Sequence, residues 1–197
     1  LLEWKKQDLS PIGKIVKVFG EPGNHQTELN SIIAKNEIAI EFSDEVKEYA
    51  KNISEKIDQK EIKLRRDFRE INTFTIDPVD AKDFDDALSF QKVDENNYEI
   101  GIHIADVSYY VKPSTILDKE AYNRATSIYL VDRVIPMLPE KLSNKVCSLR
   151  PNEDKLTFSA VFNFKKNGEI INSWFGRTII RSKKRFSYQE AQEIIDT

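Results

Sequence analysis

Thr73-Phe74-Thr75-Ile76-Asp77-Pro78-Val79-Asp80-Ala81-Lys82-Asp83-Phe84-Asp85-Asp86-Ala87 is the stretch on which the fold turns. Phe74, Thr75 and Ile76 favour an extended chain, and Pro78 ends it because proline brings no N–H to a ladder. Five aspartates then fall within ten residues: Asp77, Asp80, Asp83, Asp85 and Asp86. A solvated turn accounts for such a run as well as a site does, since Asp is a favoured turn residue. Three features shift the balance toward a site. The cluster closes one apolar strand and opens another over residues 86–93, which sets it against a core. Carboxylates this crowded raise one another's pKa, and a divalent cation relieves the repulsion. All-oxygen ligation suits Mg²⁺ or Mn²⁺ rather than zinc or copper. A calcium EF-hand fails on detail, because the loop has no central glycine and the twelfth residue from Asp77 is Leu88. Carboxylate-held metals serve phosphodiester hydrolysis, where they activate water and stabilise the leaving oxygen.

Outward from this loop, residues 98–111 read as a strand reached through the turn Asp94-Glu95-Asn96-Asn97. Residues 117–127 fit a helix, and Pro136 and Pro139 mark an irregular stretch. Residues 156–165 and 169–182 form a hairpin about Asn167-Gly168. Ser187 then caps a last helix, with Glu190 placed to complete a capping box. Upstream, residues 13–20 read as a short half-buried strand, 25–35 as a helix and 38–42 as a β-like stretch. Ser43 or Asp44 opens a charged helix running to about residue 58. The expected organisation is an amino-terminal domain over 1–58, a connector over 59–72 and a second domain over 73–197. The fold class is α+β, with a mixed sheet in the second domain.

The 197 residues are 40% hydrophobic and 32% charged, ordinary values for a globular protein. Apolar runs are short, so no membrane span is expected. Cys147 is the only cysteine, which excludes an intrachain disulfide and points to a reducing cytoplasm. With His25 and His103 as the only histidines, a zinc site of the usual kind is not expected. A net charge of −3 argues against nucleic-acid binding through overall basicity, though not against a local basic groove. No glycine-rich phosphate loop and no Ser-His-Asp arrangement competes with the aspartates. The chain opens on Leu1 rather than methionine, which suggests an excised fragment.

Thr75–Ala87 resembles the motif of the ribonuclease II and ribonuclease R (RNB) family. So do Ile104-Ala105-Asp106-Val107-Ser108-Tyr109-Tyr110-Val111 and Ile135-Pro136-Met137-Leu138-Pro139, the latter followed by Leu142-Ser143 and Cys147-Ser148-Leu149. The wording is closer to ribonuclease R. The resemblance implies Mg²⁺-dependent, processive 3′→5′ hydrolysis of single-stranded RNA to nucleoside 5′-monophosphates. It places the active-site aspartates at Asp77, Asp83, Asp85 and Asp86, with Asp85 the most rate-sensitive and Asp80 a turn residue. It also makes Tyr129 the ring that packs on the 3′-terminal nucleotide; by chemistry alone a lone tyrosine is filler. Ile12–Gly20 resembles the later part of a cold-shock-type OB domain, so the first segment is read as a partial OB-like β segment. Because the family's catalytic domain is much longer than the stretch after residue 70, the isolated chain is expected to be inactive. No obligate protein partner is implied. The rival readings are an RNA-binding OB-type module without catalysis and a simple cation-binding or phosphatase-type protein.

Arg177, Arg181, Lys183, Lys184 and Arg185 form a run without acids. Arg181, Lys183, Lys184 and Arg185 are candidates for RNA phosphate contact, although a solvated strand end weighs slightly more. His103 reads as a buried, hydrogen-bonded histidine and Cys147 as a small buried hydrophobe. Asp106 reads equally as an outer member of the site or as a structural residue.

Overall fold

A computed structural model of the chain describes residues 13–197. The chain divides into two compact units, one ending at Glu41 and one beginning at Phe42. In the first, α1 (His25–Lys35) is capped by Asn24, whose side chain accepts from the Gln26 N–H. Residues 13–20 form no ladder among the described residues, and Ile15 and Val16 stand 80% and 95% exposed. The half-buried strand expected there is therefore not observed: apolar alternation needs a neighbouring strand to pair with and a surface to bury against. Residues 38–42 are likewise irregular. The Ile12 end of the OB-like reading lies outside the described residues, as does the rest of residues 1–11.

The second unit starts earlier than the 59–72 connector. Ser43 caps α2 (Asp44–Lys51), accepting from the Val46 N–H. The helix stops at Asn52, short of residue 58, where the Asn52 amide bonds back to the Glu48 carbonyl at 3.0 Å. Its Val46 and Ala50 are buried in the main core rather than lying on a surface connector. After the short α3 (Gln59–Lys63), β1 (Arg66–Phe68) enters the sheet directly. The supposed connector is thus part of the folded unit.

Seven strands make one mixed sheet in the order β1, β8 (Ile170–Arg181), β7 (Asp154–Lys165), β4 (Asn97–Ala105), β3 (Asp86–Lys92), β2 (Asn72–Asp77), β9 (Lys184–Ser187). The β1–β8 and β2–β9 pairs are parallel and the others antiparallel. The β7–β8 hairpin closes at Asn167-Gly168, where Gly168 takes φ +87°, a conformation that glycine adopts without strain. β4 ends at Ala105 instead of residue 111. Asp106 caps a four-residue helix, α4 (Val107–Tyr110), because its carboxylate accepts from the Tyr109 N–H. Helix α5 (Ile116–Arg124) starts on Thr115, and a short ribbon pairs β5 (Ile128–Tyr129) with β6 (Val134–Ile135). A π-helical turn spans Leu142–Val146, and α6 (Tyr188–Asp196) carries the expected Ser187–Glu190 capping box.

The core lies between one face of the sheet and the segments around it: Phe68, Ala87, Ala105, Val161 and Ile180 meet Leu117, Leu138, Leu142 and Leu149. The opposite face shows Phe90, Ile102, Ile104, Phe158 and Phe175 to solvent. Among the described residues no helix is long and apolar enough to cross a membrane.

Candidate active site

The aspartate loop begins where β2 ends and finishes where β3 begins, so both its ends are fixed by neighbouring strands of the sheet. Alternation along β2 places Thr73, Thr75 and Asp77 on the buried side, and Asp77 is only 8% exposed. Its Oδ2 has no hydrogen-bond partner. Between Asp77 and Asp86 the chain has no ladder of its own and is held by side chains and distant backbone. The Ala81 N–H donates to the Pro78 carbonyl at 3.0 Å. Ser148 Oγ donates to the Lys82 carbonyl at 2.9 Å and accepts from the Phe84 N–H at 3.0 Å. The Leu149 N–H donates to the Phe84 carbonyl and the Ala105 N–H to the Asp85 carbonyl. Phe84 is buried beneath, so alternate residues Asp83 and Asp85 turn away from the core.

Asp77, Asp80, Asp83 and Asp85 line a cavity of about 580 Å³ together with Ser127, Tyr129 and Arg133. Asp80, expected as a bystander in the turn, shares this lining, whereas Asp86 does not. Asp86 still lies near enough for its charge to act on the others. The Asp77 carboxyl is raised above the usual carboxylate range, by burial first and then by repulsion from Asp86 and Asp83, against opposing pulls from the Thr75 hydroxyl and, more weakly, from Arg185. Asp85 is raised as well, by the protein packed about it and by the charges of Asp83, Asp86 and Asp77. Tyr129 is 68% exposed at the rim, and burial followed by the charges of Asp83 and Asp85 raises its hydroxyl pKa.

This donor set suits a hard cation. It is all oxygen, it is strained by mutual repulsion, and one buried carboxylate oxygen is unsatisfied. Among the described residues, however, no three such side chains converge closely enough to hold an ion by themselves. The protein shell is partial, which fits Mg²⁺, an ion that keeps several waters and completes its sphere with substrate phosphate.

The basic run is distributed differently from the expected RNA-facing strip. Arg181 pairs with Asp154 at 2.7 Å, in a group that also holds Arg69. Arg185 turns onto the aspartate loop, where Nη2 donates to the carbonyls of Pro78 and Val79. The reason is register: β9 runs parallel to β2 with Arg185 opposite Thr75, two residues before Asp77. Lys183 and Lys184 remain exposed, Lys184 with its ammonium 4.5 Å from the Phe186 ring. Arg177 lies 3.7 Å from Asp106, which also binds Arg65 at 2.7 Å and caps α4. Asp106 is therefore structural; burial opposes its ionisation, but Ser108, Arg65 and Arg177 hold it below the usual carboxylate range. Cys147 is buried, and that burial pushes its thiol up to about 12, as expected for an inert packing residue. Sequence reading alone did not identify Ser148 and Arg185 as the groups that shape the loop. Ser148 stands inside one of the family-like motifs, but its partner lies 66 residues away in the chain.

Residues 65–197 match the RNB domain family and residues 1–43 the cold shock domain family. Ribonuclease R of Aquifex aeolicus is 45% identical over 183 residues, covering 93% of this chain and 26% of that protein. The inactive exonuclease DIS3L2 of Arabidopsis thaliana is 40% identical over 197 residues, covering all of this chain and 19% of that one. The structure of Mycoplasma genitalium RNase R in complex with ribose-methylated single-stranded RNA superposes with a TM-score of 0.84 at 31% identity, over 91% of this chain and 28% of that one. The chain thus spans about a quarter of the length of these relatives. With the family match running through more than half of the chain and including the whole aspartate loop, this protein belongs to the RNB family.

Proposed function

We propose that the chain is the aspartate-bearing segment of an RNA-degrading enzyme, a 3′→5′ exoribonuclease that releases nucleoside 5′-monophosphates. The activity is that of a polypeptide of the relatives' length containing this segment. One observation carries the reading: a crowded carboxylate loop with an unsatisfied buried oxygen on Asp77, opening on a cavity with an exposed tyrosine at its rim. Asp77, Asp83, Asp85 and Asp86 would contribute to a site for Mg²⁺, with Mn²⁺ as a substitute, whose coordination sphere water and substrate phosphate complete. When bound, the ion lowers the pKa of the attacking water and neutralises charge on the phosphate. The chain's own residues do the rest. Tyr129 offers a stacking face to the terminal base, and Lys183 and Lys184 are free to meet phosphates. Asp85, on the cavity side of the loop, is the carboxylate on which rate depends most.

A second reading has support of its own. A relative 40% identical across the whole chain is an inactive exonuclease, so this fold also occurs without chemistry. RNA binding without cleavage is the corresponding alternative. The two separate in one experiment: this segment replaces the matching quarter of Aquifex aeolicus ribonuclease R, and the hybrid is given a 5′-labelled single-stranded RNA. Shortening from the 3′ end that EDTA stops supports the enzyme. Binding with no shortening, while the unaltered Aquifex protein degrades the same RNA, supports the inactive module.

A further inference from the structure

Three buried side-chain atoms among the described residues lack a hydrogen-bond partner: Thr75 Oγ1, Asp77 Oδ2 and Arg185 Nε. All three belong to the paired ends of β2 and β9, where Thr75 lies opposite Arg185. Polar atoms are rarely left unpaired when buried, so three at one place mark a constrained spot in the fold. Arg185 makes no ion pair among the described residues that would account for its position. It directs Nη2 at two successive backbone carbonyls, Pro78 and Val79, and its guanidinium lies 5.3 Å from the centre of the Phe84 ring. Pro78 and Phe84 belong to opposite halves of the aspartate loop, so one planar cation touches both. Ser148 grips the second half at Lys82 and Phe84, but among the described residues nothing other than Arg185 reaches the Pro78–Val79 carbonyls from outside the loop.

We infer that Arg185 is a positioning residue: it fixes the path of the chain between Asp77 and Asp83 and thereby sets the carboxylates of the two halves against each other. The inference rests on the reading of this loop as a hydrolytic site. It replaces the expected role of Arg185 as an RNA phosphate contact. A guanidinium suits the task because its rigid fork reaches two acceptors at once, whereas a lysine ammonium is a single point charge on a flexible stem.

Arg185→Gln and Arg185→Lys test it. In the 197-residue chain, hydrogen exchange of the amides from Val79 to Asp86 should quicken by about tenfold or more in Arg185→Gln and by less in Arg185→Lys. Exchange in the β7–β8 hairpin should not change, which establishes that both variants are folded. In the Aquifex hybrid, kcat should fall about 10–100-fold, as when groups that orient metal ligands are lost. KM for RNA and its salt dependence should stay put, while the Mg²⁺ concentration for half-maximal rate rises. Unchanged loop exchange would overturn the inference. So would a raised KM with a shallower salt slope and an intact kcat, the behaviour of a phosphate contact. Should the hybrid with the native Arg185 cleave no RNA, the enzyme reading fails, and the exchange measurement still decides whether Arg185 holds the loop.

Discussion

Two clusters of polar and titratable groups sit close together in this sheet and are built on opposite principles. One is the aspartate loop. The other is a buried line through β3, β4, β7 and β8, in which His103 Nδ1 meets Ser159 Oγ at 2.6 Å and Nε2 meets Ser89 Oγ at 2.8 Å. Ser159 in turn meets Thr178, which meets Thr157. Every side chain in that line has a partner, and the space is full. A Cβ on Gly101 would strike Ser89 Oγ and the His103 ring, so only glycine fits where the imidazole crosses its own strand. Phe68 closes the end, edge-on to His103 at 5.0 Å. In the aspartate loop like charges are crowded instead, and Asp77 keeps an unpaired buried oxygen. The two clusters nearly touch in sequence register, since His103 pairs with Ala87, the residue after Asp86. Satisfied burial of polar groups serves the fold. Unsatisfied burial costs stability and persists where something must be bound.

The largest expected effect falls on the unsatisfied cluster. In the hybrid enzyme, Asp85→Asn should lower the cleavage rate by at least about 10²–10³, the usual consequence of losing one electrostatic group at a transition state. RNA affinity should hold within about threefold, because it comes from phosphate contacts and stacking elsewhere. Filter binding alongside single-turnover cleavage checks this. A loss of binding as deep as the loss of cleavage would remove the distinction between this loop and a simple RNA-contact surface.

The satisfied cluster should answer to acid. Burial, with the charge of Arg66 adding to it, lowers the pKa of His103 from 6.5 to about 4. The folded chain therefore keeps His103 neutral where the unfolded chain has begun to protonate. The stabilising contribution is complete above pH 6.5 and disappears as pH falls through about 4. At 1.36 kcal/mol per pKa unit the loss totals about 3 kcal/mol. Urea unfolding of the native chain and His103→Gln between pH 4 and 7 measures it as the difference in pH slope. Parallel slopes for the two proteins would show that His103 is not the neutral centre of that line.

How far the sequence foretold this arrangement depends on the range of the contacts. The hairpin at Asn167-Gly168, the Ser187–Glu190 capping box and the end of β2 at Asp77-Pro78 are written in neighbouring residues, and each is where the pattern put it. The aspartates were visible as a crowded loop between strands. Their division was not, because Asp80 on the cavity and Asp86 off it follow from how the loop is tied down at Ser148 and Arg185. Those ties join residues 64 to 107 positions apart. Charge alone was misleading for Arg181 and Arg185: a basic run without acids looks solvated until Asp154 and the Pro78–Val79 carbonyls come to it from other strands. Residues 13–20 likewise find no partner strand among the described residues, and alternation alone names none.

Tyr129 sharpens the contrast at the rim of the cavity. It stands on a two-stranded ribbon outside the main sheet, exposed, and contributes no carboxylate. Tyr129→Ala should leave the chemical step intact and weaken the hold on the shortest products. A stacked base is worth about 1–3 kcal/mol, so the final product length should shift upward. Product-ladder gels of the hybrid read this directly. An unchanged ladder would mean that the ring does not meet the terminal base.

The smallest effect is also the one of opposite sign. If the aspartate loop gives up stability for binding, relieving it should stabilise the metal-free chain. Asp77 is the place to look, because it is the most buried of the five and its Oδ2 is unpaired. Its raised pKa means that the folded state disfavours the charged form, a cost present above the folded pKa and removed as pH falls through it. Asp77→Asn removes that charge at neutral pH while keeping the shape, and it leaves a polar group beside the Thr75 hydroxyl, which acts on the native carboxylate. A gain of about 0.5–1 kcal/mol is the scale on which such relief at functional sites is found. Thermal unfolding in EDTA at pH 7 should therefore give a higher midpoint for Asp77→Asn than for the native chain, with the difference shrinking in acid. The same substitution in the His103 line has no counterpart, since there every group removed leaves a partner unpaired. If Asp77→Asn destabilises the metal-free chain at neutral pH, the loop is a satisfied structural element like its neighbour, and the case for a cation between its carboxylates falls with it.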